Sequence, residues 1–424
     1  MTFIRGYRWA CRLGSSVGLS LLSGCGPGDA PADKTSAPLP QFGEAVDVES
    51  PAGPGAGEPW LLLEPDGGVL MSWLESSAEG HELLFSVLAA DAWSPVRTVV
   101  SRADLFVNWA DFPSVIRLPD GSLVAHWLQR SGPDTYAYGV RLSRSADDGK
   151  SWSDPVTPHQ DETQTEHGFV SLSPGLAAGS VRAVWLDGRN YADPDADPAF
   201  MTLRHAEIAA DGSLSAQAEL DPRTCDCCQT STAVTERGIV VAYRGRTRDE
   251  IRDIRVVRSG EQGWSKPSVV HADGWVIPSC PVNGPAIAAT GNLVAVAWFT
   301  AASDSPRVML AFSEDGGESF EAPIQVAGSG EIGRSLGRVG LALTPDGVAL
   351  VSWLHEREGI GALMLAALDR DGSRSVTNVV PQLDGGRATG FPRMALRGDE
   401  VLFAWTEPGD PARIRLVRVP LLTE

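Results

Sequence analysis

Lysine is almost missing from this chain: among 35 basic residues only Lys34, Lys150 and Lys266 are lysines, and arginine supplies the rest. That bias speaks of genome composition more than of chemistry. Positive charge as such is also short. With 54 acidic residues and a formal net charge of -19, the chain lacks the basic face that phosphate neutralisation requires, so nucleic acid is excluded as a partner. No apolar pattern with a 3.6-residue period runs for three turns, which removes the helical folds. Beyond the first residues no apolar run is long enough to cross a bilayer. What remains is an ordinary globular composition, 43% hydrophobic and 21% charged, in a chain long enough for a repeat array or several domains.

The first residues read as an address. Arg5, Arg8 and Arg12 precede a short apolar stretch from Leu13 to Leu22, the pattern of an export signal. Leu22-Ser23-Gly24-Cys25 follows and resembles the lipobox of bacterial lipoproteins, which implies lipidation of Cys25 and removal of residues 1–24. A secretory signal cut after Gly24, with Cys25 left free, is the alternative. Residues 25–41 are rich in Gly, Pro, Ala and Asp and read as a tether; residues 42–424 hold the folded body. The expected location is the cell envelope, facing the periplasm or the surface, with the lipid as the membrane contact and a monomeric body. Such a compartment is oxidising. The body then keeps four cysteines: Cys225, Cys227, Cys228 and Cys280.

A phrase recurs through residues 42–424: an apolar strand, a turn often written Asp-Gly, a second strand, then an aromatic residue. The aromatic falls at Trp73, Trp127, Trp185, Tyr243, Trp298, Trp353 and Trp405, in steps of 54, 58, 58, 55, 55 and 52 residues. Room for two further strands follows each aromatic. Seven four-stranded antiparallel units of this size predict an all-β, seven-bladed β-propeller, a six-bladed ring being the alternative. The last unit has only one strand left after Trp405, whereas residues 42–49 precede the first unit without a partner, so the N-terminal strand is expected to close the ring.

Two turns share the pattern Ser-x-Asp-x-Gly-x-Ser-aromatic: Ser145, Asp147, Gly149 and Trp152 in one, Ser313, Asp315, Gly317 and Phe320 in the other. The carboxylate suits backbone N–H groups across the turn, glycine permits a positive φ and the ring packs inward. Ser259 to Ser265 and Trp93-Ser94-Pro95 are worn copies. These turns resemble the Asp-box, or BNR repeat, of sialidase-like propellers. The resemblance implies that fold for the whole body, an axial binding site, and in the catalytic members an arginine triad, a tyrosine nucleophile paired with glutamate, and an aspartic acid as proton donor. That catalytic set is not matched here, and Phe391-Pro392-Arg393 only partly echoes the Phe-Arg-Ile-Pro sequence of the family.

If the Asp-box and Asp-Gly turns occupy one face, the other face gathers the loops entering each innermost strand and those following each repeat aromatic. The candidates for a small anionic or glycan-type ligand are Arg189, Arg244, Arg246, Arg338, Arg393 and Asn283, because planar guanidinium groups grasp carboxylates in two-point fashion. Asp111, Glu166, His167 and Asp187 are the acid or base candidates. Tyr243 sits at a repeat position and is expected to pack. Cys225, Cys227, Cys228 and Cys280 precede corresponding strands of adjacent blades and are expected to meet. Disulfides, a copper or zinc site with His167 or His271 as an extra ligand, and a reactive thiol stay open for them. Three functional readings follow: an envelope-anchored sialidase-like lipoprotein that binds such a ligand and, as an enzyme, hydrolyses it; a non-enzymatic metal-binding or redox lipoprotein; and a scaffold for protein partners.

Overall fold

The computed structural model describes residues 39–196, 199–260, 263–328 and 333–422. The export signal, Cys25 and nearly all of the tether lie outside them. Among the described residues there is no α-helix, only strands and three short 3-10 turns.

The strands form seven antiparallel sheets. Blade 1 runs Ala56–Leu63, Val69–Ser77 and Gly80–Ala89, with Ala92–Trp93 and Arg97–Arg102 at its edge. Blade 2 runs Ser114–Arg117, Leu123–Arg130 and Tyr138–Ser145, its fourth strand reduced to a bridge between Leu142 and Val156. Blades 3 to 6 start at His167–Pro174, Ser231–Thr235, Ala286–Thr290 and Arg334–Leu343. Blade 7 runs Arg393–Arg397, Glu400–Glu407 and Arg413–Leu422. Its outer edge is Gln41–Phe42 and Val46–Val48, paired with the last strand, so the N-terminal segment closes the ring and the six-bladed alternative falls.

Every repeat aromatic lies on the second strand of its blade, and all seven are at most 3% exposed. Their polar tips are often met by a carboxylate: Trp73 donates to Glu75, Trp185 to Asp187, Tyr243 to Asp221 and Trp298 to Asp273, at 2.7 to 3.0 Å. Seven large apolar clusters result, six of them filled from two neighbouring blades and one from blades 3 and 4 with Ala110, Phe112 and Phe391 added from the axis, and Ala395, Leu402 and Leu416 join Leu61, Met71 and Trp73 across the closing seam. The hydrophobic effect thus acts between blades, and a blade alone would leave both faces wet.

The turns from third to fourth strand repeat in detail. Ser145 Oγ accepts from Gly149 N–H at 2.8 Å and Ser313 Oγ from Gly317 N–H at 2.8 Å, while Asp147 and Asp315 each accept the following serine's N–H and hydroxyl. Ser94, Ser153, Ser265 and Glu321 all donate their N–H to the third strand at 2.8 Å, so the worn copies keep the backbone of the clear ones. These turns and the Asp-Gly hairpins share one face, here the bottom. The loops with the candidate residues are on the top.

Candidate functional site

Blades 2 and 3 meet at the top around a buried hydroxyl. Tyr138, first residue of its strand and 1% exposed, donates to Asp111 Oδ2 at 2.8 Å and lies 2.7 Å from Glu166 Oε1. Asp111 Oδ1 accepts Phe169 N–H at 2.7 Å. Gly168 makes the approach feasible, since a Cβ there would stand 1.9 Å from Asp111 Oδ2. Burial pushes Asp111 up to about 7, against the bonds from Phe169 and Tyr138. It pushes Glu166 up to about 8, against the bond to Tyr138 and with help from the charges of Asp111, Asp226 and Cys280. Two of the four acid or base candidates therefore come together, and both keep a proton near neutrality.

His167 and Asp187 belong to a different group. His167 Nε2 is 3.0 Å from Asp161 and 3.7 Å from Asp187, and its Nδ1 faces the Thr165 carbonyl at 3.0 Å. Its ring stacks on His159 at 3.9 Å, and Arg189 pairs with Asp161 and Asp187 at 2.9 and 2.7 Å. Burial opposes ionisation of Asp161, but hydrogen bonds from His167 and Thr163 hold it well below the carboxylate range. His167 and Asp187 are fully buried. The cluster ties the entry loop of blade 3 to the end of its second strand.

The cysteines do meet. Cys225 Sγ lies 3.3 Å from Cys228 and 4.0 Å from Cys227, and none of the four thiols is bridged. Cys225 and Cys228 are buried, Cys227 is half-buried, and the exposed Cys280 faces Cys227. The histidines proposed as extra ligands are elsewhere: His167 in the group above, and His271 within 3.9 Å of Asp273. Arg252 donates to Cys225 Sγ at 3.1 Å, and Asn283 N–H to Cys228 Sγ at 3.4 Å.

Arg244 and Asn283 are committed to the framework. Arg244, 1% exposed, donates to the carbonyls of Asn283, Arg252 and Phe299 at 2.6 to 2.9 Å. Asn283 Oδ1 accepts Arg338 N–H at 2.7 Å. Arg246 is half-buried and pairs with Asp226 and Glu250 at 2.8 Å. Beside it lies a residue that the repeat pattern does not mark, Arg223. Its guanidinium is 3.5 Å over the Phe200 ring, with Arg246 at 4.8 Å from the same ring. Burial lowers the Arg223 pKa, and the charges of Arg248 and Arg246 lower it further. Among the described residues Arg223 has no ion pair, and its Nη1 is buried without a hydrogen-bond partner. Tyr191, 47% exposed, has Asp226, Arg246 and Glu166 acting on its hydroxyl.

Arg338 and Arg393 sit at the axis. The entry loop of blade 2 crosses there: Trp109 stacks on Phe391 of blade 7 at 5.9 Å, and the Ala110 carbonyl accepts Gln229 of blade 4 at 2.6 Å. Arg338 lies 5.0 Å over Trp109 and donates to the carbonyls of Gly386 and Gly390 at 2.8 Å. Arg393 lies 3.9 Å from the Phe112 ring, its Nε and Nη2 buried without partners. Burial lowers Arg338 to about 10 and Arg393 to about 9. Below them is an axial cavity of about 710 Å³, lined by Trp60, Phe112 and Arg393 at one end and Leu63, Val234 and Leu343 at the other. Bulges in the inner strands of blades 1, 3 and 6 put Glu58, Phe169 and Arg338 at φ of 51 to 54°, the kind of local kink that re-aims a side chain.

No protein-family model matches the chain, and no curated protein matches it. Solved structures do. A protein of unknown function from Dyadobacter fermentans aligns over 91% of this chain and 100% of its own, with a TM-score of 0.50 at 16% identity. The GH93 alpha-L-arabinofuranosidase of Fusarium graminearum aligns over 89% and 98%, with a TM-score of 0.49 at 12% identity. The Trypanosoma rangeli sialidase aligns over 77% and 56%, with a TM-score of 0.43 at 14% identity. At such identities the likeness is one of fold.

Proposed function

We propose that the chain is an envelope-anchored, sialidase-like propeller lipoprotein whose top face binds a small anionic, glycan-type ligand. The binding recess in this reading is off the axis, where the loops of blades 3 and 4 bring Arg223, Arg246, Tyr191, Asp226 and Glu166 together. The observation that carries the reading is the gathering of Arg223 and Arg246 over Phe200, with the charge of Arg248 also acting on Arg223, on a chain of net charge -19. Like charges repel, and among the described residues Arg223 makes no ion pair, the charges of Glu250 and Asp221 opposing the repulsion from outside pairing distance. A ligand carboxylate or sulfate would offset it with charge-assisted hydrogen bonds. Tyr191 offers an exposed ring for the apolar side of a sugar. Glu166, still protonated near neutral pH, is the group that would donate to a glycosidic oxygen in a hydrolytic reaction. The Asp-box-like turns and the lipobox support the family and the anchor.

Calorimetric titration of the mature protein with a sialyl- or uronate-containing oligosaccharide and its neutral counterpart tests this. The acidic sugar should bind, the neutral one at least about tenfold more weakly, and Arg223→Ala should cost the acidic sugar about 10- to 100-fold, the worth of a hydrogen bond to a charged group. Release of a fluorophore from an α-linked sialoside, lost in Glu166→Gln, reads hydrolysis. Equal affinities for the two sugars, or an Arg223→Ala variant that binds normally, would sink the proposal.

A further inference from the structure

We infer that Cys225, Cys227 and Cys228 form a three-thiolate site for one soft, closed-shell cation, copper(I) or zinc(II). The inference stands apart from the ligand proposed above. Its first support is spacing. Metal–sulfur bonds of about 2.3 Å set ligand sulfurs about 3.8 Å apart in a tetrahedron and about 4.0 Å apart in a trigonal plane. The Cys225–Cys227 separation of 4.0 Å matches the trigonal value, the Cys225–Cys228 separation of 3.3 Å lies below both, and all three sulfurs lie within 4.8 Å of one another.

The second support is the polar shell. Arg252 and the Asn283 N–H both donate to sulfur, at 3.1 and 3.4 Å. Such outer donors stabilise thiolates and fix their direction in metal sites. Arg244 lies beside Cys228, so cationic groups oppose the excess negative charge of three thiolates around a mono- or divalent ion. Asp226, between the first two cysteines in sequence, keeps Oδ1 buried without a hydrogen-bond partner. The loop is also fixed by its backbone: Thr224 N–H donates to Met201 at 2.9 Å and Cys225 N–H to Arg244 at 3.0 Å.

Burial gives the site a direction. Cys225 and Cys228 form the floor, Cys227 lies toward solvent, and the exposed Cys280 stands at Cys227 as a route of entry. Copper(I) is complete with the sulfurs of Cys225, Cys227 and Cys228, whereas zinc(II) calls for a fourth ligand at the Cys280 side.

The mature protein, reduced and kept under nitrogen, is titrated with zinc(II) and with copper(I) against a competing chelator, with elemental analysis after desalting. One cation per chain is expected, and the one retained in competition identifies the site. Alkylation followed by peptide mass analysis should show Cys225, Cys227 and Cys228 protected by either cation, with Cys280 modified in the copper(I) form and protected with them in the zinc(II) form. Cys228→Ser should lose the cation, Cys280→Ser should keep copper(I), and Arg252→Met should weaken binding about 10- to 100-fold, the usual cost of losing an outer partner. If Cys228→Ser does not fold, the protection pattern of the unchanged protein decides. Binding of neither cation, or equal alkylation of all four thiols with and without it, overturns the inference. Sugar binding measured in Cys280→Ser reads the other proposal separately.

Discussion

Asp111→Asn isolates the cost of the proton shared around Tyr138. Asn keeps the shape of Asp111: its carbonyl can accept Phe169 N–H and its amide can donate to the Tyr138 oxygen, leaving the Tyr138 hydroxyl proton for Glu166. What it removes is a titration. Burial raises Asp111 from 3.8 to about 7. A raised acid binds its proton more tightly in the folded protein, so the wild type loses stability as pH rises from the unfolded value through the folded one. Each pKa unit is worth about 1.4 kcal/mol, so the gap between variant and wild type should widen in the variant's favour by roughly 4 kcal/mol between about pH 4 and pH 7. Asp111 is 2% exposed, so solvent screening takes little from that figure. Denaturant midpoints of both proteins at half-unit pH steps measure it. Glu166 gives a second readout, because the Asp111 charge helps to push it up and its pKa should fall in the variant. A gap that stays constant across the range would refute the reasoning.

Gly149→Ala should destabilise the protein by about 2 to 4 kcal/mol, from a left-handed φ of 77° and a Cβ set 2.4 Å from the Phe85 ring, seen as a lower thermal midpoint. Tyr243→Phe keeps the ring and loses the hydroxyl bond to the Asp221 carboxylate, so it should cost about 1.5 to 3 kcal/mol in urea titration and leave sugar binding unchanged. A loss of sugar binding there would give Tyr243 a chemical role instead of a packing one.

The blade count and the closing strand are legible in the sequence because both follow from local rules. A buried aromatic at the centre of every second strand gives a fixed register from Trp73 to Trp405, and a last blade short of one strand needs a donor. The top face is less legible. Asp111, Tyr138 and Glu166 come from three separate segments, and nothing in the repeat says that Tyr138 points between two carboxyls; its place as first residue of a third strand is the only hint. Arg223 and Arg252 flank the cysteine loop in sequence or across a hairpin, yet no period marks them. Arg244 and Arg246 are two residues apart and look equivalent as letters. The strand ends at Arg244, whose side chain enters the framework where three carbonyls take it, and Arg246, past that end, stays at the rim. The chemistry at the thiols was visible as composition, but the spacing that separates a metal cradle from a staple is a matter of ångströms.

The closing seam also fixes the face from which the described chain begins. Gln41 pairs with Leu422, and the Pro40 carbonyl accepts the Ser375 hydroxyl at the start of the last strand of blade 6. The chain therefore emerges toward its N-terminus from the underside, among the hairpins, on the side away from Arg223 and the thiols. An attachment made on the N-terminal side of Gln41 therefore acts on the underside and leaves the mouth of the ring, with its recess, open to solutes.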